Sequence, residues 1–201
     1  MYILRLMQKW IAYPPTGRLF HSAIVTPLGR ITWAGRHLNI RPHNKMPMRY
    51  WDTYSMVYII EGNGRYYNQD GLNMPIKAGN LLIMFPRHGY RYQINQNSPW
   101  SEFFIQFKGP IFSLWTREGL LNPNQPIYHL EPIKYWWQRM ENIICPLNLP
   151  EPSQSLKRLC MLQEFLVDAL LVSRISKSTP EQVSWIAKAK MIIESSIPDP
   201  P

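Results

Sequence analysis

One carboxylate set among aromatic rings is the feature of this sequence best suited to do chemistry. It lies in the stretch PWSEFFIQF, residues 99 to 107. Read as a strand, Phe103, Ile105 and Phe107 form a uniformly apolar face, while Trp100, Glu102, Phe104 and Gln106 form a mixed one. A carboxylate buried beside rings without a partner is costly. Glu102 must therefore meet water, a cation or a hydrogen-bonding ligand, or close an internal salt bridge with Arg49 or Arg91. Rings with a few directed polar groups around a cavity are the usual make-up of a small-molecule site.

Other chemistries lack their patterns. His21, His37, His43, His88 and His129 are scattered, with no HxH pair and no carboxylate at ligand spacing, so no metal site is expected. His37 and His43 stand near Arg36 and Arg41 and read as loop residues. Gly62-Asn63-Gly64 opens like a dinucleotide fingerprint, but neither a third glycine nor a helix follows. The two cysteines, Cys145 and Cys160, form no CxxC or Cys/His cluster, which fits a reduced, cytoplasmic protein without a disulfide framework. No nucleophile triad and no paired acid and base stand out, so neither catalytic residues nor a cofactor are expected.

The elements that position Glu102 follow from turn spacing. From Arg18 to Phe107 short β-rich runs alternate with turn signals: RLFHSAIV, RITWAGRHLNI, YSMVYIIE, RYYNQ, LNMPI, NLLIMF, YRYQI and EFFIQF. Between them lie Pro27-Leu28-Gly29, Gly62-Asn63-Gly64, Gln69-Asp70-Gly71, Lys77-Ala78-Gly79 and Pro86-Arg87-His88-Gly89. About eight strands so spaced suggest an antiparallel sandwich or small barrel. In YSMVYIIE, Tyr54, Met56, Tyr58 and Ile60 face one way and Ser55, Val57, Ile59 and Glu61 the other. Both sets are mainly apolar, so both faces are expected to be covered. Tyr58 joins the candidate ligand contacts from this strand. A three-residue Gly-Asn-Gly loop is expected to close a hairpin between this strand and the next.

After Gly109 the spacing turns helical. EPIKYWWQRMENIICP places Ile133, Trp136 or Trp137, Met140 and Ile144 on one side. SQSLKRLCMLQEFLVDALLVSRISKS repeats Leu156, Leu159, Leu162 or Gln163, Leu166, Ala169 or Leu170 and Ser173, with Ser153 or Ser155 able to cap it. Its apolar stripe is broad enough to pack on the barrel and to meet a second subunit. SKSTPEQ then reads as a linker.

The chain of 201 residues carries 22 Lys and Arg against 13 Asp and Glu, a formal charge of +9. Charge alone does not choose among nucleic acid, anionic lipid and an acidic ligand. The first fifteen residues hold Arg5 and Lys9 inside their apolar stretch and make a poor signal peptide, and no apolar run approaches the roughly 20 residues of a membrane span.

Residues 57 to 109 resemble the ligand-sensing domain of AraC/XylS-type transcription regulators. The likeness rests on Glu61-Gly62-x-Gly64, Ala78-Gly79-Asn80-Leu81-Leu82 leading to Pro86, Tyr92, Trp100, and the strand end Phe104-x-x-Phe107-x-Gly109. It extends in element order over roughly residues 18 to 175. The resemblance implies a mainly β fold with C-terminal α-helices. An antiparallel cupin-like barrel, the double-stranded β-helix, is followed by a helical dimerisation segment. It implies an arm at 1–17, a ligand-binding barrel at 18–109, a helical segment at 110–175 and, at 176–201, a linker and the start of a DNA-binding domain. Val183 to Ile197 resembles the first helix of that domain, whose two helix-turn-helix units are not in this chain. The implied ligand contacts are Arg49, Tyr92, Glu102 and Phe104. The implied partners are a small-molecule effector, commonly a sugar, a second copy through helix 155–175, and DNA through the other half. Tyr90 stands where many members carry a histidine. The alternatives are a metal-independent cupin enzyme acting on a carbohydrate, with Glu102 and a tyrosine as acid and base, and a structural interaction module.

Overall fold

The computed structural model describes residues 16–40 and 47–175; the bulk of the expected arm, the whole of 176–201, and Arg41 and His43 lie outside them. The strands are β1 (Gly17–His21), β2 (Arg30–Ile40), β3 (Tyr54–Glu61), β4 (Asn63–Asn68), β5 (Asn73–Lys77), β6 (Asn80–Met84), β7 (Tyr90–Ile94), β8 (Trp100–Lys108) and β9 (Ile127–His129). The helices are α1 (Pro110–Arg117), α2 (Ile133–Ile144) and α3 (Ser153–Ile175). Every strand pairing is antiparallel, in a larger sheet of order β1-β2-β8-β3-β6-β9 and a smaller one of order β5-β4-β7. The chain crosses between the sheets after β3, β5, β6 and β7. This is a cupin-like fold of two antiparallel layers followed by helices.

That crossing corrects the expected hairpin. β3 pairs with β6 and β8, while β4 pairs with β5 and β7, so the Gly-Asn-Gly stretch is a corner between sheets. Both edges of β3 are already occupied, leaving none for β4. Gly62 turns the corner with φ 106°, and a Cβ there would stand 2.3 Å from the Pro99 carbonyl oxygen.

Alternation along each strand divides the interior into two cores. Tyr54, Met56, Tyr58, Phe103, Ile105 and Phe107 face the helices, while Val57, Ile59, Leu82, Tyr92 and Trp100 face the space between the sheets. β3 is thus covered on both faces, as its composition requires. Tyr58 lies on the helix side, fully buried, and its hydroxyl donates to the Leu130 carbonyl at 2.8 Å. Burial raises its phenol pKa, so it stays a neutral donor. Its assignment as a ligand contact is corrected on this ground: period-two geometry turns it away from the space that Val57 faces.

The helical layer follows its apolar spacing. α2 buries Trp136, Met140 and Ile143, and α3 buries Leu159, Leu162, Phe165, Leu166 and Ala169. Trp136 meets Phe165 edge to face with centroids 5.4 Å apart, and Arg139 reaches Asp168 at 2.6 Å. The start of α3 differs from expectation: the Ser155 amide donates to the Glu151 carboxylate at 3.2 Å, so a preceding glutamate satisfies this orphan donor. Two elements carry little signal in the sequence. α1 has eight residues and sets Phe112 against Phe107, with centroids 4.4 Å apart, while β9 adds three residues to the β6 edge.

A buried ion pair joins sheet to helix, with Arg36 of β2 placing Nη1 3.3 Å from Glu141 Oε1 of α2. Burial raises the Glu141 carboxyl to about 7, against the opposing pull of a Trp137 hydrogen bond and Arg36. With the ordinary value at 4.5, the folded state binds the extra proton between those limits. The stability this supplies is full below the window and falls by about 3 kcal/mol as pH rises through it. Glu141→Gln should remove that loss, so its urea midpoint should gain on the wild type between about pH 5 and pH 8. A gap that does not change with pH would contradict this.

Candidate functional site

Between the two sheets lies a cavity of about 620 Å³. β2 contributes Trp33 and His37, β3 contributes Ser55 and Val57, β7 contributes Tyr90, Tyr92 and Gln93, and β8 contributes Glu102, Phe104 and Gln106. Arg49 and Trp51, from the segment before β3, complete one side. Arg49 is pinned by its main chain: its N–H donates to the Tyr90 carbonyl at 2.8 Å and its carbonyl accepts from the Tyr90 N–H at 3.1 Å. The guanidinium carbon lies 5.4 Å from the centroid of the Tyr92 ring, within cation–π range.

Register brings the polar groups together. On adjacent strands His37 pairs with Glu102 and Gly35 with Phe104. Only a glycine fits opposite Phe104, since a Cβ on Gly35 would stand 2.8 Å from the ring and 2.3 Å from the Gly17 carbonyl oxygen. The Phe104 ring in turn lies 5.4 Å from that of His37, centroid to centroid.

Glu102 is 3% exposed and accepts from three side chains. The Tyr92 hydroxyl lies 3.0 Å and 2.9 Å from its two oxygens, the Trp100 indole N–H donates to Oε2 at 2.8 Å, and His37 Nδ1 lies 3.0 Å from Oε1. The Tyr92 and Trp100 rings stack with centroids 5.7 Å apart. Burial, reinforced by the Glu102 charge, raises the Tyr92 phenol well above its ordinary range; burial likewise raises Tyr90, with Arg49 opposing. Both phenols therefore remain O–H donors.

Four of the five expected contacts, Arg49, Tyr92, Glu102 and Phe104, line this one cavity, and Tyr58 does not. Of the two arginines expected as Glu102's salt-bridge partners, Arg49 lies over the Tyr92 ring at 5.4 Å and Arg91 over the Tyr67 ring at 4.4 Å. His37, expected in a loop, is a strand residue on the cavity wall. The signal was present: Trp33, Gly35 and His37 alternate along RITWAGRHLNI. Among the described residues no three His, Cys, Asp or Glu side chains gather as a metal site would require, and no helix there is long and apolar enough to cross a membrane.

A family model described as AraC-like ligand binding domain matches residues 36–177. No curated protein matches the chain. Among solved structures it is similar to YhaK from Escherichia coli, at 14% identity and TM-score 0.39 over 50% of this chain and 46% of that one, so the chain spans less than half of that protein. It is also similar to an RmlC-like cupin family protein with a double-stranded β-helix fold from Methanocaldococcus jannaschii, at 21% identity and TM-score 0.33, over 49% and 85% of the two chains. The cupin domain of Schizosaccharomyces pombe Cnp3 aligns at 12% identity and TM-score 0.38, over 52% and 69%.

Proposed function

The chain belongs to the AraC-like ligand-binding domain family, and from that premise we propose that it senses a small carbohydrate in the cavity between its sheets, without turning it over, to control DNA binding by a helix-turn-helix half joined to it. The observation that carries this reading is a cavity lined by rings and crossed by a few fixed polar groups. Trp33, Trp51, Tyr90, Tyr92 and Phe104 offer apolar faces on which a sugar ring can stack, and Arg49 offers donors to its oxygens. Against the alternative of acid/base catalysis stands the state of Glu102, whose oxygens already accept from Tyr92, Trp100 and His37.

A panel of neutral monosaccharides tests the reading by thermal denaturation. One member is expected to stabilise the fold by about 2.7 kcal/mol at a hundred times its Kd and to be recovered unchanged. Arg49→Ala should weaken that sugar about tenfold, the loss of one charge-assisted hydrogen bond. Turnover of the sugar, or no stabilisation by any member, would overturn the proposal.

The second copy would meet α3. Leu156, Val167 and Leu171 lie within about 60° on one side of this helix and are 41%, 41% and 49% exposed. An apolar edge of this kind, left facing water, is a natural docking stripe. The chain is expected to sediment as a dimer, and Leu156→Glu with Leu171→Glu as a monomer with the barrel intact. A monomer in both cases would remove α3 from the dimerisation role.

A further inference from the structure

Glu102 spends most of its acceptor capacity on the protein's own side chains. An ionised carboxylate offers about four lone-pair positions, and the single Tyr92 hydroxyl proton shared between its oxygens, the Trp100 indole and His37 take up three. The indole can only donate, and each of these contacts requires an acceptor at Glu102, so His37 must present Nδ1 as N–H. A neutral imidazole that donates from Nδ1 carries its lone pair on Nε2. The His37 ring stands on the cavity wall, its side chain 38% exposed, with no hydrogen bond to Nε2 among the described residues.

We infer that Glu102 is a positioning residue that locks His37 in the Nδ1–H tautomer, and that His37 Nε2 is an acceptor on the cavity wall that favours guests carrying an O–H or N–H donor. This deepens the effector-binding reading and rests on it for its biological meaning, though the tautomer itself does not. Three features converge on it. The β2–β8 register sets His37 opposite Glu102, Phe104 packs on the imidazole from the next cross-strand pair, and the Tyr92 and Trp100 donors hold the carboxylate from the other side. Arg49 supplies donors and His37 an acceptor, so the fitting guest offers both kinds of group. A hydroxyl-rich molecule does so, whereas an anion lacking any donor leaves Nε2 unmet.

The test uses the whole chain labelled with ¹⁵N in its imidazoles, at neutral pH. His37 is expected to show a protonated Nδ1 and an unprotonated Nε2, and Glu102→Gln is expected to shift it toward the Nε2–H form that free imidazole side chains favour in water. A wild-type His37 with Nε2 protonated, as the other tautomer or as imidazolium, overturns the assignment; so does a tautomer indifferent to Glu102→Gln. Selectivity is read with phenol and toluene, rings with and without a donor. The ratio of their affinities should fall about fivefold in His37→Asn, which retains a donor toward Glu102 but loses the cavity nitrogen. His37→Gln, whose amide reaches toward the Nε2 position, should restore part of it. An unchanged ratio in His37→Asn, or binding of neither probe, overturns the selectivity. Failure of every sugar with the tautomer and ratio as expected would instead count against the effector assignment.

Discussion

Replacing Glu102 by alanine is expected to destabilise the chain by about 3–5 kcal/mol, more than removing any other polar group in the cavity wall. The cost comes from the three side chains that donate to it. Without the carboxylate, the Trp100 indole N–H and the Tyr92 hydroxyl, both on nearly inaccessible rings, lose their acceptor, and His37 loses the group that orients it. Phe104→Ala provides the contrast. It removes a larger side chain from the same strand, but its site is only partly buried and opens on the cavity. It should cost about 1–2 kcal/mol, below the range for a sealed core ring. Urea denaturation of both variants measures the difference. If Glu102→Ala proved the milder change, the carboxylate would not be the hub of this wall.

The second large effect belongs to Phe165. Its ring is 1% exposed on α3, edge to face with Trp136 of α2, and Leu162, Leu166 and Ala169 surround it in the same core. Phe165→Ala should cost about 3–5 kcal/mol. The loss is expected to fall on the helical layer before the sheets, since this ring joins α3 to α2. In amide exchange, α3 should lose protection while β3 and β8 keep theirs. Uniform loss across both layers would instead show that sheet and helices unfold as one unit.

The eight strands and the two longer helices were legible because each carries its own signal. Runs such as YSMVYIIE and NLLIMF are bounded by glycine or proline turns, and apolar residues recur at three and four in 133–144 and 153–175. The partition of β8 into an apolar face and a mixed face followed from alternation alone, and it put Glu102 and Phe104 on one side. Partner choice was not legible. Gly62-Asn63-Gly64 looks the same whether it closes a hairpin or turns a corner, because only the occupancy of the β3 edges by β6 and β8 decides between them. The same limit misplaced Tyr58: alternation shows that it opposes Val57, but which side holds the cavity depends on where the helices pack. His37 was missed because its partner lies 65 residues away, and only the β2–β8 register makes them neighbours. The three-residue β9 is too short for any period to show.

The central claim, a guest held between the sheets, is tested most directly by the indole N–H resonances during titration with the monosaccharide panel and phenol. Trp33 and Trp51 line the cavity and Trp100 is tied to its wall through Glu102, whereas Trp136 lies in the helical core. A guest in the cavity is expected to move the first three and leave Trp136 in place. Movement of Trp136 alone, or no movement of Trp33 and Trp51 with any compound, would contradict it.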